Sequence, residues 1–385
     1  MSIVADVNPA MLKWARESIG MSRANAAKKA GTSKDRVSSW EAGDASPSIR
    51  QARLLAEAFG RPLAVFYLEE PPKNFSVIKR FRTIAEGVGG NLSPDAQLLI
   101  AQLRERQEWA KEYLSNEGFE PLDYVGKYSL NDKPAVVAEE MRDFLLDGFT
   151  DTFSDSRKRL NMWVTAVESA GVFVTQTSGR GKVTVDDARG FALVDDIAPF
   201  VFVNAKDSLA GRLFTLLHEF GHLLLGGSAI SVSPLPSARS QVGKIERFCD
   251  RFASHALLPE ERLKAVLVGF NTSTGVAGQV RDMASQLGVS PLAVATRLRQ
   301  KGSITEDHYL SVFEYTREAL KSKDGAEKTG GNYYVAEPYR IGKKFLALAA
   351  DAYARRSILG GHLSSLTGVK LNNFDRMMAS IKEAS

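Results

Sequence analysis

Chemistry is concentrated in the run Phe214 to Leu225, F-T-L-L-H-E-F-G-H-L-L-L. On a helix, at about 100° per residue, His218 and His222 lie about 40° apart, so both imidazoles can face one cation while Glu219 projects beside them. In this H-E-x-x-H order two histidines bind zinc and the glutamate works on the water at the metal. Leu216, Leu217, Leu223, Leu224 and Leu225 surround the motif and predict a helix seated in an apolar core. The chain has five histidines in 385 residues, so two at this spacing around a glutamate are not a product of composition.

Two histidines hold zinc poorly, and hydrolysis needs a third protein ligand with a fourth position left for water. Downstream, Lys244 to Leu258 reads as a helix stopped by Pro259, and on it Glu246 and Asp250 are four apart on one face. Glu246 is the expected third ligand, with Asp250 placed to hydrogen-bond the free ring nitrogen of His218 or His222. Asp250 is the alternative ligand, its shorter reach counting against it. His255 follows Glu246 by nine residues, about 900° of helix or half a turn away, and is expected to point elsewhere. Cys249 reads as a small buried residue. An open zinc site of this kind acidifies water and polarises a scissile carbonyl. Glu219 would take the proton from the water and pass it to the leaving amine.

The elements that must position these groups are legible around them. Val172 to Thr175, Phe191 to Val194 and Phe200 to Val203 read as strands, and the polar Asn204 to Ser208 opens the histidine helix. Helices are expected over 94–118, 134–146 and 157–170, and a loop over 226–243. The fold class is therefore α+β, mainly helical, with a small sheet. A single cysteine excludes internal disulfides and a cysteine-rich zinc module and suits a reducing cytoplasmic setting. No basic, apolar leader opens the chain and no run approaches a membrane span, so no membrane partner is expected. The net charge of +5 permits a polyanionic partner without demanding one.

Residues 9 to 70 read as short helices broken at Gly20, Gly31 and Gly43. Ala27, Gly31 and Val37 stand in the A-x3-G-x5-V relation of a helix-turn-helix, in which the alanine lets two helices approach, the glycine takes the turn and the valine buries the second helix. With Leu12, Ala15 and Arg16, Gly20-Met21-Ser22, Trp40-Glu41-x-Gly43 and Pro47, the segment resembles the Cro/repressor-type (XRE) helix-turn-helix family, which implies a five-helix domain that binds double-stranded operator DNA. By that resemblance the recognition helix runs from about Ser33 to Trp40. Lys34, Arg36 and Ser38 or Ser39 would reach base edges, and Thr32 and Ser33 the phosphates. Asp35 could accept from a cytosine amino group but would repel phosphate. A homodimer on an inverted repeat is expected, since one short helix reads too few bases.

The Pro71-Pro72 pair marks the expected domain boundary. The domains expected are 1–70, the helix-turn-helix; 71–300, the peptidase; and 301–385, a helical C-terminal region without an assigned role. Within the second, 276–300 repeats the helix-turn-helix relation at Ala284, Gly288 and Val294, and a weaker version recurs at Ser364, Gly368 and Phe374. Packing is the expected use of both, with DNA contact by Arg297 and Arg299, or by Lys370 and Arg376, the lesser alternative.

The stretch from Pro199 to Pro259, with P-F-V-F-V-N, R-L-F-T-L-L-H-E-F-G-H-L-L-L and I-E-R-F-C-D-R-F-A-S-H-A-L-L-P, resembles the ImmA/IrrE metallopeptidase family. Phe81-Arg82 and the run Leu287 to Leu298 are also similar. The resemblance implies a zincin-like domain and a bacterial or phage regulator in which a zinc endopeptidase cuts a repressor-type protein. It supports Glu246 as third ligand, in the gluzincin-like pattern of H-E-x-x-H with a downstream E-x-x-x-D. The chain departs from the family pattern at Phe248-Cys249-Asp250, where a smaller residue and then asparagine are common. Two other readings stand beside cleavage. One is a transcription factor whose peptidase-like domain is a non-cleaving ligand sensor or dimerisation unit, and the other is an antitoxin or phage immunity regulator acting by binding.

Overall fold

The structure, a computed structural model, describes residues 4–71, 93–151, 155–176, 183–227, 229–231, 240–273, 275–321 and 333–383. It divides into two compact units, 1–105 and 106–385. The expected boundary at Pro71-Pro72 adjoins residues 72–92, which lie outside the described residues, as does the Phe81-Arg82 similarity.

The first unit opens with α1 (Pro9–Glu17), α2 (Arg23–Ala30), α3 (Lys34–Ala42) and α4 (Ile49–Phe59), followed by a 3-10 turn at Leu63–Tyr67. Each helix starts where a polar side chain takes an otherwise orphaned backbone N–H: Asn8, Ser22, Ser33 and Ser48, the last in a capping box with Gln51. Gly31 has φ +63°, the left-handed turn between α2 and α3 that a side chain would strain. Ala27 and Val37 are buried with Leu12, Ala15, Trp40, Leu55, Phe59 and Phe66 in one core. A buried ion network ties α1 and α2 to α3. Glu41 accepts from Arg16 Nη2 at 3.0 Å and from Arg23 Nε at 2.8 Å. Burial opposes a charged Glu41, but the hydrogen bonds from Arg16 and Arg23 outweigh it and hold the carboxyl below its usual range. A long helix, α5 (Pro94–Asn116), contains the division between the units.

The second unit continues with α6 (Pro134–Leu145) and α7 (Ser156–Ser169), then β1 (Phe173–Gln176), β2 (Gly190–Leu193) and β3 (Phe200–Val203). After the histidine helix α8 (Leu209–Leu224) come β4 (Ala229–Ser231) and α9 (Gln241–Leu257). The sheet order is β1-β3-β2-β4, with β1 parallel and β2 antiparallel to β3, and β4 antiparallel to β2. Every residue of β1, β2 and β3 is buried, as befits apolar strands covered on both faces. β4 corrects the loop expected over 226–243. Three residues, Ala-Ile-Ser, show no periodicity of their own, and they become a strand only by pairing with Phe191 and its neighbours.

Beyond α10 (Glu260–Val266), α11 (Val276–Leu287) and α12 (Pro291–Gln300) form the second helix-turn-helix-like pair. It is a packing unit. Arg297 is 3% exposed and spends its donors on Leu258 O, His255 and Glu260, so it has no face for DNA. Arg299 lies over the Tyr309 ring and pairs with Glu306. The chain ends in α13 (Glu306–Lys321), α14 (Tyr333–Ile341), α15 (Lys343–Ala354), α16 (Gly360–Thr367) and α17 (Leu371–Glu383). Arg376 lies over Tyr334. The α14–α15 junction docks on the sheet edge at β1. Thr175 Oγ1 donates to Arg340 O at 2.6 Å, and Phe345 meets Phe173 and Phe200 edge-on. At the junction Gly342 has φ +100°, and a Cβ there would fall 2.6 Å from Val174 O; only glycine fits both demands.

Candidate metal centre

Two helices build the site. α8 begins where Ser208 Oγ accepts from Gly211 N at 3.0 Å, and from Thr215 to Leu224 each residue is buried. α9 begins at Ser240, whose hydroxyl accepts from Gly243 N at 3.0 Å. The two cross where a Cβ on Gly221 would stand 3.2 Å from Cys249 Sγ and 3.3 Å from Cys249 Cα. A larger residue at either position would push α9, and with it Glu246, away from the imidazoles. The far end of α9 is held by Arg159, fully buried, which donates to Leu257 O, Leu287 O, Gly288 O and both oxygens of Asp151.

Across that crossing His218, His222 and Glu246 offer one ligand atom each. His218 Nε2 is 3.3 Å from His222 Nε2 and 3.2 Å from Glu246 Oε2, and His222 Nε2 is 3.4 Å from Glu246 Oε1. A tetrahedral cation with bonds of about 2.0–2.1 Å separates its ligands by about 3.3 Å, the spacing of the two imidazole nitrogens, and each of them faces one oxygen of the Glu246 carboxylate at a similar distance. This buried group could hold a metal ion. Asp250 Oδ1 lies 2.9 Å from His218 Nδ1, a contact that holds the hydrogen on Nδ1 and would leave Nε2 to bind a cation. Asp250 therefore backs His218, and not His222.

Burial would depress both imidazoles, but the hydrogen bonds that His218 donates to Asp250 and Glu246 lift it well above its ordinary value. His222 has no such support, and burial with the neighbouring His218 takes it down to about 4. Glu246 resists burial and is held below the usual carboxylate range by its hydrogen bond to His218. A single cavity thus favours one protonated and one neutral imidazole beside a carboxylate, a charge pattern that a divalent cation can replace.

Glu219 is 0% exposed. Its Oε1 lies 3.1 Å from where a Cβ on Gly190 would sit, and that Cβ would also stand 2.4 Å from Thr215 Cγ2 and 2.8 Å from Phe202 O. Gly190, in β2, thus leaves the room that the carboxylate occupies. Sequence reasoning did not single out Gly190 or Gly221. A glycine inside a leucine-rich helix was the available signal for the second, since it survives there only for a packing reason. His255 points away from the metal ligands, towards Arg297, and Cys249 is fully buried, with burial pushing its thiol well up.

Two family models match the chain. Residues 168–299 match the IrrE N-terminal-like domain, a peptidase family, and residues 12–66 match the helix-turn-helix family. The chain joins an XRE-type helix-turn-helix domain to an IrrE N-terminal-like domain. No curated protein and no solved structure matches it. In the helix-turn-helix domain, Ser33, Lys34, Asp35 and Arg36 are exposed at the start of α3, and Thr32, Ser38 and Ser39 are half-buried. Ser33 Oγ accepts from Arg36 N at 3.3 Å, so that hydroxyl also caps the helix. The IrrE-like match takes in all the residues of the candidate metal centre and extends through α12 to its penultimate residue, Arg299. No helix among the described residues is long and apolar enough to cross a membrane.

Proposed function

We propose that the chain is a DNA-binding transcriptional regulator whose IrrE-like domain is a zinc-dependent endopeptidase that cleaves a repressor-type protein, itself or a partner. The observation that carries this reading is the convergence of His218 Nε2, His222 Nε2 and Glu246 at 3.2–3.4 Å beside a buried Glu219 on the same helix. Two imidazoles and one carboxylate are a donor set that suits zinc and keeps a corner for water. When bound, zinc supplies a Lewis acid for the scissile carbonyl and a more acidic water. His218, His222 and Glu246 hold the ion, and Asp250 keeps His218 turned towards it. Glu219 accepts the proton of the attacking water and delivers it to the departing amide nitrogen. The leucines around α8 exclude bulk water, so these charges act in a low dielectric.

The helix-turn-helix domain places Lys34 and Arg36, with Ser38 and Ser39, at base edges of an operator and Thr32 and Ser33 at its phosphates, as a homodimer on an inverted repeat in the cytoplasm. The test is the purified full chain with its zinc content measured, incubated alone and with helix-turn-helix repressors encoded beside it. Zinc at about one per chain is expected, with cleavage that Glu219→Gln abolishes while zinc and fold remain. Cleavage unchanged in that variant overturns the mechanism. A zinc-loaded chain that cuts nothing but whose operator affinity follows a ligand of the metal site is a sensor instead.

A further inference from the structure

Helix α9 has a second polar face. Arg251 and His255 lie five and nine residues after Glu246, about 140° and 180° around the helix from it, and so turn away from the metal ligands. With Lys133, Pro134, Ala135 and Gln300 they line a cleft of 220 Å³. Lys133 and Arg251 come from different parts of the chain, both are exposed, and neither forms an ion pair among the described residues. No carboxylate lines the cleft. The nearby Glu260 is taken by Arg297 at 3.0 Å and by Lys301. Two like charges that converge on one concavity without a counter-charge repel each other until an anion enters.

Between them lie an imidazole and an amide. His255 Nε2 lies 2.9 Å from Arg297 Nη1. A guanidinium cannot give up its proton, so Nε2 is the acceptor and the imidazole carries its hydrogen on Nδ1. Gln300 accepts from Arg297 Nη1 at 3.3 Å and donates to Ser254 Oγ at 3.4 Å, which leaves the two cations as the anion's partners. α6 also begins at this cleft, with Lys133 as its N-cap, no side chain capping it and Pro134 in the first turn. Its positive end adds to the field of the two cations.

We propose that this cleft is an oxyanion site that takes the phosphate group of a small phosphorylated ligand. It is held by Lys133 and Arg251 across the cleft, on the reverse side of the helix that carries Glu246 and Asp250. The site is independent of the peptidase reading, because none of its residues is a metal ligand or lies on α8.

The experiment is calorimetric titration of the full chain, loaded with zinc and also metal-free, with inorganic phosphate, with adenosine 5′-monophosphate and with adenosine. Saturable binding of phosphate and of the monophosphate at one site per chain is expected in both metal states, and none of adenosine. Lys133→Ala or Arg251→Ala weakens it about tenfold each, and Arg251→Lys, which keeps the charge, weakens it less. Both residues are exposed and neither forms an ion pair among the described residues, so melting temperature and zinc content stay at wild-type values in all three variants. Absence of saturable binding up to about 10 mM phosphate, or equal affinity in wild type and the Lys133→Ala/Arg251→Ala double variant, overturns the assignment. Binding of duplex DNA but of neither small phosphate, lost in the double variant, also overturns it and makes the cleft part of a nucleic-acid surface.

Discussion

Replacing Asp250 with alanine asks whether the cluster is a metal site organised from behind. Asp250 Oδ1 is 2.9 Å from His218 Nδ1, and it is the contact that holds the hydrogen on Nδ1 and would leave Nε2 to bind a cation. Losing such a partner lowers metal affinity about 10–100-fold, or about 1.4–2.7 kcal/mol of binding free energy. Metal binds only the folded chain, so with metal in excess its contribution to stability falls by the same amount. For a unit of this size each kcal/mol moves the midpoint by about 2–4 °C, so the zinc-loaded melt should drop by roughly 3–11 °C. The metal-free melt should fall less, because Glu246 Oε2 still faces His218 Nε2 at 3.2 Å when Asp250 is gone. Competition with a chromophoric chelator measures the affinity, and calorimetric scans with and without zinc measure the midpoints. Asp250→Asn keeps an acceptor oxygen at the same place and should recover part of the loss. If alanine leaves zinc affinity unchanged, or lowers both melts equally, Asp250 does not orient the ligand and the reasoning fails.

Other consequences follow from neighbouring contacts. Glu168 accepts from Lys344 N at 3.2 Å where the C-terminal helices dock, and burial pushes its carboxyl up from 4.5 to about 7. The folded chain then binds this proton more readily than the unfolded one, so stability should decline as pH rises from 4.5 to about 7 and level off above. Urea midpoints across that window should be flatter in Glu168→Gln, and equal slopes would contradict the assignment. Glu41→Ala leaves the buried Arg16 with the exposed Glu17 as its remaining ion-pair partner among the described residues and should cost about 3 kcal/mol, read as early melting of the helix-turn-helix unit and a matching loss of operator binding. A loss below about 1 kcal/mol would mean that solvent reaches the pair. Gly190→Ala forces a methyl group against Thr215 and Phe202 O and should destabilise by about 1–3 kcal/mol, visible in the midpoint of the second unit; wild-type stability would show that β2 can yield.

Local periodicity carried much of the fold. A helix fixes the direction of each side chain from its position in sequence, so His218, Glu219 and His222 had to share a surface wherever α8 lay. Ala27, Gly31 and Val37 had to form a turn between two packed helices, and Phe200 to Val203 could only be a buried strand. The single cysteine likewise excluded an internal disulfide. The rest depended on where distant segments meet. Glu246 stands beside the imidazoles because Gly221 lets α9 approach at Cys249, and Asp250 reaches His218 across 32 residues of sequence. β4 exists by pairing with β2, Arg297 is buried because α12 packs on α9, and Gly190 matters because Thr215 and Glu219 crowd it. Lys133 joins Arg251 through the docking of α6 on α9. Helical direction is a property of a few consecutive residues, whereas each of these contacts closes a long loop and is decided by which pairs of surfaces bury together.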